Sequence, residues 1–257
     1  MDNRLIDRQQ TRPKKLLAEG GRRKRLSYFE RLIWLLIIFP ALGLGTARAG
    51  FLSKMGIGLN PAMLFSLRGN YNSDASLSKM VLPGPGFGLS LRYKLRKNIF
   101  LDGSFSYNWM FFRAETRPSN YADTKPAFVA PMYTLNGSFY PLPDGMIKPY
   151  ITIGGGICPW WFSSQPTGGE LWKVPTNSDE TFTKVSQFID GGLGIELKLG
   201  SKISLLGEVK YYHIFAKDAA KFGLDGFTDQ DLLGISLGIS FYFGGRDAEK
   251  IVEDDTL

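Results

Sequence analysis

From Met55 onward the chain alternates apolar and polar positions with a period of two, and odd-numbered positions carry the apolar side chains. Sustained alternation predicts strands with two unlike faces. MGIGLNPAMLFSLR places Met55, Ile57, Leu59, Met63, Phe65 and Leu67 opposite Asn60, Ser66 and Arg68. FGLSLRYK, IFLDGSFSYNWMF and VAPMYTLNGSFY, beginning at Phe87, Ile99 and Val129, keep the same parity. So do YITIGGGICPW, IDGGLGIELKL, ISLLGEVKYYHIF and LGISLGISFYF, beginning at Tyr150, Ile189, Ile203 and Leu233. The reading is eight strands of about ten residues, the length that crosses a bilayer when tilted.

The connections point the same way. LRKN, PLPDGM and LGSK join strands 2–3, 4–5 and 6–7 tightly, whereas residues 69–86, 113–127, 162–187 and 216–231 form long polar loops. Strict alternation of short and long connections is the plan of an antiparallel up-and-down transmembrane β-barrel, with tight periplasmic turns and longer external loops. The fold class expected is therefore all-β, an eight-stranded barrel whose last strand pairs with its first. An unpaired edge in hydrocarbon would leave backbone groups without partners.

Charge then decides which face meets lipid. Arg92, Lys94, Asp102, Asp190, Glu196, Lys198, Glu208 and Lys210 all lie on the even face, four of each sign. A charge facing lipid at mid-depth costs about 2–4 kcal/mol, so the even face should line the lumen and its charges should form a structural network. Arg92 and Asp102 flank a tight turn symmetrically and are expected to be cross-strand neighbours. Aromatic residues gather toward strand ends. Tyr107, Trp109, Trp160, Trp161 and Tyr211 lie toward the long loops, and Tyr93, Phe139, Tyr140, Phe241 and Phe243 toward the short turns. They read as two interfacial girdles. A soluble lipocalin-like barrel with its apolar face turned inward is the alternative fold. It would expose a face of Gly and Ser with few charges, unlike soluble surfaces.

Composition adds a location. Net charge is +7, yet residues 1–49 alone hold 11 Lys/Arg and 4 Asp/Glu, leaving 20 of each for the rest. The basicity belongs to the leader, so no nucleic-acid partner is expected. GRRKRLSYFER precedes the apolar run LIWLLIIFPALGLG and the small-residue site Ala47–Ala49, the plan of a secretory signal peptide with a long basic n-region. The domains expected are a signal peptide at 1–49, the barrel at 50–243 and a short periplasmic tail at 244–257. Both termini of the mature chain should then be periplasmic, in the outer membrane. Cys158 is the sole cysteine, which rules out an intrachain disulfide, and it is read as a buried lumen thiol.

With these strands and loops the chain resembles the small eight-stranded outer-membrane barrels, the family of the outer membrane protein A transmembrane domain and the opacity-type surface proteins. In the last strand Ser236, Gly238, Phe241 and Phe243 are similar to the polar-x-Gly-x-x-apolar-x-aromatic signal read by the barrel-assembly machinery. The resemblance implies outer-membrane lipid, lipopolysaccharide and that machinery as partners. Phe243 departs from the pattern in not being terminal, and the tail after it is far too short for a peptidoglycan-binding domain.

Candidate chemistry is sparse. Small barrels that deacylate lipid A use His, Ser and Glu, but the only histidine, His213, has outward parity with no Ser at close spacing and Asp218 as its next carboxylate. Asp218 and Asp225 complete no recognisable set with it. His213 is read as a rim residue rather than a general base. The glycines of GPGFG and GGLG lie in strands with no following helix, so they read as relief of crowding, not phosphate loops. No catalytic residue, metal site or cofactor is expected. The interior of an eight-stranded barrel is filled by side chains, so no open pore is expected either. What remains is a structural or surface-interaction role in envelope integrity, adhesion or loop-mediated binding of an external ligand, with Trp172 as a candidate loop contact. An envelope lipid-modifying enzyme and a lipocalin-like ligand carrier are the alternatives.

Overall fold

The structure is a computed structural model that describes residues 49–70, 75–117, 124–167, 169, 171, 173–174, 177–181, 183–216 and 227–244. The leader, most of the tail, Trp172, Asp218 and Asp225 lie outside the described residues. A short helix α1 (Ala49–Leu52) leads into β1 (Met55–Arg68), and helix α2 (Leu77–Met80) interrupts the first long connection. β2 (Gly84–Arg96), β3 (Ile99–Phe111), β4 (Ala127–Val129), β5 (Met132–Phe139) and β6 (Ile147–Ser163) follow. A small hairpin of β7 (Lys173–Val174) and β8 (Asn177–Thr181) stands in the third long connection. β9 (Thr183–Lys198), β10 (Ile203–Ile214) and β11 (Gln230–Tyr242) complete the chain.

All barrel pairings are antiparallel, and β11 pairs with β1 through ladders such as Leu59↔Ile239 and Met63↔Ile235, which closes the sheet. β4 and β5 together act as one stave, so the closed barrel has eight. The expected continuous fourth strand is broken at Ala130–Pro131, because Pro131 has no N–H to give the ladder. Asn108 heals the gap: its backbone oxygen accepts from the Ala130 N–H at 2.8 Å, and its Nδ2 donates to the Ala130 oxygen at 3.1 Å. The pairing with β3 keeps one register on both sides of the break. β6 and β9 are longer than the alternation indicated and extend into the third long connection.

Odd positions face outward. Ile153 and Leu237 are about 70% exposed, and Leu135, Leu193 and Ile189 stand out beside them. A monomeric soluble protein does not expose an apolar belt of this extent, whereas a bilayer covers it. Even positions fill the interior as two packed layers. Toward the long loops Leu64, Met110, Phe128, Trp160, Phe162 and Phe188 form an apolar layer roofed by Leu77 and Met80 of α2. Toward the short turns Phe100, Tyr140, Tyr150, Leu206 and Tyr242 form a second, largely aromatic layer.

Cys158 is fully buried in the upper layer. It should therefore resist a maleimide in the folded barrel and react fully once the protein is heat-denatured, which mass spectrometry of the labelled chain will read.

Candidate functional site: the lumen and its outer rim

Arg92 is the hub of the lower lumen. It lies opposite Asp102 across the β2–β3 turn and forms an ion pair with it through Nε. Its Nη1 donates to Tyr140 Oη at 2.7 Å, to Glu196 Oε2 at 3.4 Å and to Tyr242 Oη at 3.4 Å. The guanidinium also lies within 6 Å of the Phe100, Tyr140 and Tyr150 ring centroids. Glu196 is wholly buried and accepts from Tyr140 at 2.8 Å and from Tyr242 at 3.0 Å. Asp102 in turn accepts from the Ser138 hydroxyl.

A second cluster lies higher. Lys210 Nζ sits 3.0 Å from Glu208 and 3.9 Å from Asp190, while Tyr150 Oη donates to Glu208 at 3.1 Å. Asp190 also accepts from Asn136 Nδ2 at 2.9 Å. Of the eight lumen charges read from the sequence, the structure thus brings Arg92, Asp102, Asp190, Glu196, Glu208 and Lys210 into two hydrogen-bonded groups. Lys94 and Lys198 stand nearer the short turns and are half-buried. Lys148, buried and opposite Glu196 in the β6–β9 register, is a further lumen charge that the alternation missed.

Glycines make these long reaches feasible. Asn136, Gly154 and Asp190 are successive register partners on β5, β6 and β9, so Asn136 must pass over Gly154 to meet Asp190. A Cβ at Gly154 would lie 2.2 Å from Asn136 Oδ1. Tyr150 crosses Gly194 to reach Glu208, and Tyr242 crosses Gly56 to reach Arg92, with comparable closeness.

Between the two layers lies a cavity of about 100 Å³, walled by Asn60, Ser90, Ser104, Asn136, Thr152 and Ser236 among others. Asn136 Oδ1 and Asp190 Oδ2 have no protein partner among the described residues. The polar side of this chamber suits ordered water, and at about 10–15 Å³ each it has room for several.

The aromatic residues divide by parity rather than by height. Tyr107, Trp109 and Trp161 meet on the outer surface, with ring centroids 5.8 and 6.4 Å apart, and Tyr211 also faces out. Trp160 does not belong to this girdle. It is buried in the lumen, stacks on Phe227 at 4.9 Å and donates its indole N–H to Ser186 at 3.0 Å. Its even position turns it inward however close it stands to the rim. Tyr140 is inward for the same reason. In β11, Ser236 lines the cavity, Gly238 lies against Asn60, and Phe241 and Phe243 face outward in an edge contact at 5.8 Å.

At the rim nearest the long connections His213 has partners the sequence did not identify. Asp231 is its register partner on β11 and accepts from Nδ1 at 2.6 Å, while Asp229 Oδ2 lies 3.6 Å from Nε2. Both ring nitrogens face carboxylates, which leaves neither aimed at a hydroxyl nucleophile.

Comparison with known proteins is consistent with this fold. A family model described as "Outer membrane protein beta-barrel domain" matches residues 35–243. No curated protein sequence matches the chain. Among solved structures, Neisserial surface protein A is similar at TM-score 0.50 and 13% identity, covering 74% of this chain and 97% of that one. The attachment invasion locus protein Ail of Yersinia pestis, solved with the heparin analogue sucrose octasulfate, gives 0.44 and 17%, with coverage of 74% and 97%. OprG of Pseudomonas aeruginosa gives 0.46 and 13%, with coverage of 74% and 95%. At these identities the likeness is one of fold.

Proposed function

Since the chain belongs to the outer membrane protein β-barrel family, we propose that it is a non-conducting barrel of the outer membrane, serving envelope integrity or presenting its long loops to an external partner. The observation that carries this reading is the filled bore. An aromatic layer locked by Arg92 and Glu196 stands below the cavity, and an apolar layer roofed by α2 stands above it. A solute would have to displace both. In this reading the short turns and both barrel termini face the periplasm, and the four long connections face outward. The leader at 1–49 is a signal peptide, and Ser236, Gly238, Phe241 and Phe243 engage the assembly machinery. Lipopolysaccharide contacts the exterior beside Tyr107, Trp109 and Trp161, where amphipathic rings suit the interface.

The non-enzymatic reading rests on His213, whose Nε2 faces Asp229 rather than a nucleophile. Replacing His213 with Ala should leave the lipid A profile of the cell unchanged in mass spectrometry. The closed bore is tested by reconstituting the purified chain in planar bilayers. No stepwise conductance is expected for the native protein, and steady channel openings would overturn the reading.

A further inference from the structure

The chain has a single histidine, and it stands where one segment of the outer mouth is tied down. Asp229, which faces Nε2, lies in the short run 227–230 that leads into β11 and includes its first residue. Asp229 Oδ1 accepts from the Ala216 N–H at 2.7 Å. On its other side the same run is fixed to the end of β1, the strand that pairs with β11. The Asn70 N–H donates to Thr228 Oγ1 at 2.8 Å, and Gln230 Nε2 donates to the Asn70 oxygen at 3.0 Å. The Gln230 side chain fills the space a Cβ would need at Gly69, whose φ of 121° also favours glycine. Inward, Phe227 lies flat on Trp160 at 4.9 Å and 17° and forms part of the apolar upper layer. The run is therefore a strap along the rim between β10 and β1, turning an aromatic plug inward, with His213 at one anchorage.

A neutral imidazole has one N–H. Placed on Nδ1 it serves Asp231, and Nε2 then turns a lone pair toward the Asp229 carboxylate. An imidazolium has two N–H groups, one for each carboxylate. The other charged or titratable groups facing this spot are Arg68, the register partner of Asp231 on β1, and Tyr211 on β10. A guanidinium does not give up its proton in a folded protein, whereas an imidazole can gain or lose one. We propose that His213 is a pH-operated clasp. When protonated it ties Asp229 and holds the strap and the Phe227 plug closed; when neutral it keeps Asp231 and leaves Asp229 held by the Ala216 N–H alone. The added tie exists only while the imidazole holds its second proton.

The test is hydrogen exchange with mass spectrometry on the full chain refolded in phospholipid nanodiscs. Rates at about pH 5 and about pH 8, on either side of the ordinary histidine titration, are corrected for intrinsic exchange. Amides of residues 227–231 should open about three- to fivefold less often at the lower pH, the change expected of one partly exposed ion pair. His213→Gln keeps an amide donor for Asp231 without the charge and should abolish the difference, as should Asp229→Asn. Heat-dependent gel migration will show that the variants fold. Equal protection at both pH values in the native protein overturns the proposal, whatever the variants do. So does a pH difference that survives in His213→Gln.

Discussion

Arg92→Met will lower the stability of the folded barrel by about 3–5 kcal/mol, the range seen when one partner of a buried ion pair is removed. The charge of Arg92 is shared by Asp102 and Glu196, and Glu196 is fully buried. Without the guanidinium, Glu196 still accepts from Tyr140 and Tyr242, which solvate the carboxylate without neutralising it. Asp102 retains the Ser138 hydroxyl. The three rings around Arg92 also lose the cation they enclose. Urea titration in lipid vesicles, read by gel mobility with and without heating, will report the loss as a lower midpoint. The matched control is Lys97→Met. Lys97 pairs with Asp144 at 2.8 Å, closer than Arg92 lies to Glu196, yet both side chains are more than 60% exposed. An exposed pair contributes about 0–1 kcal/mol, so that midpoint should barely move. Equal effects at the two sites would show that burial does not set the strength of this network.

The second large effect is Gly154→Ala. A methyl there would stand 2.3 Å from the Leu135 carbonyl oxygen and 2.2 Å from Asn136 Oδ1. The first obstacle is backbone and cannot rotate aside. Overpacking of this kind costs about 1–3 kcal/mol. Pushing Asn136 off Asp190 forfeits a hydrogen bond to a charged group, about 1.5–3 kcal/mol more. Gly103→Ala and Gly137→Ala provide the comparison, because nothing lies within 4 Å of a Cβ at either position. A Cβ at either would point toward lipid, and their unfolding free energies should stay within about 0.5 kcal/mol of the native protein.

The strands, their parity and the closing pair were legible because lipid and lumen impose opposite solvents on successive residues. Arg92 against Asp102 was legible for a further reason: a tight turn fixes register, so residues equidistant from it must meet. His213 against Asp231 was not, because a long connection separates β10 from β11 and the register across it depends on the closed sheet. Trp160 and Tyr140 were misplaced for a different cause. Height along the strand suggested an interfacial ring, but the pleat decides which side of the sheet a residue faces, and both stand at even positions. Lys148 was lost at a boundary. It precedes Tyr150, where the alternation becomes legible, and the ladder in fact starts at Ile147. The broken fourth strand was written in Pro131, but its repair by Asn108 from the neighbouring strand required three dimensions.

The side chains that pass over Gly56, Gly154 and Gly194 have a mechanical consequence. Ladder hydrogen bonds join each strand to its immediate neighbour and resist shearing, but they act as hinges and allow the tube to be squashed into an ellipse. Tyr242 to Arg92, Asn136 to Asp190 and Tyr150 to Glu208 each join strands two apart. They are chords across the curved wall, and any change in local curvature must stretch or compress them. Each chord needs a bare backbone beneath it. The glycines are therefore the places where the wall is thinned so that an internal brace can hold the bore in one cross-section against the lateral pressure of the bilayer.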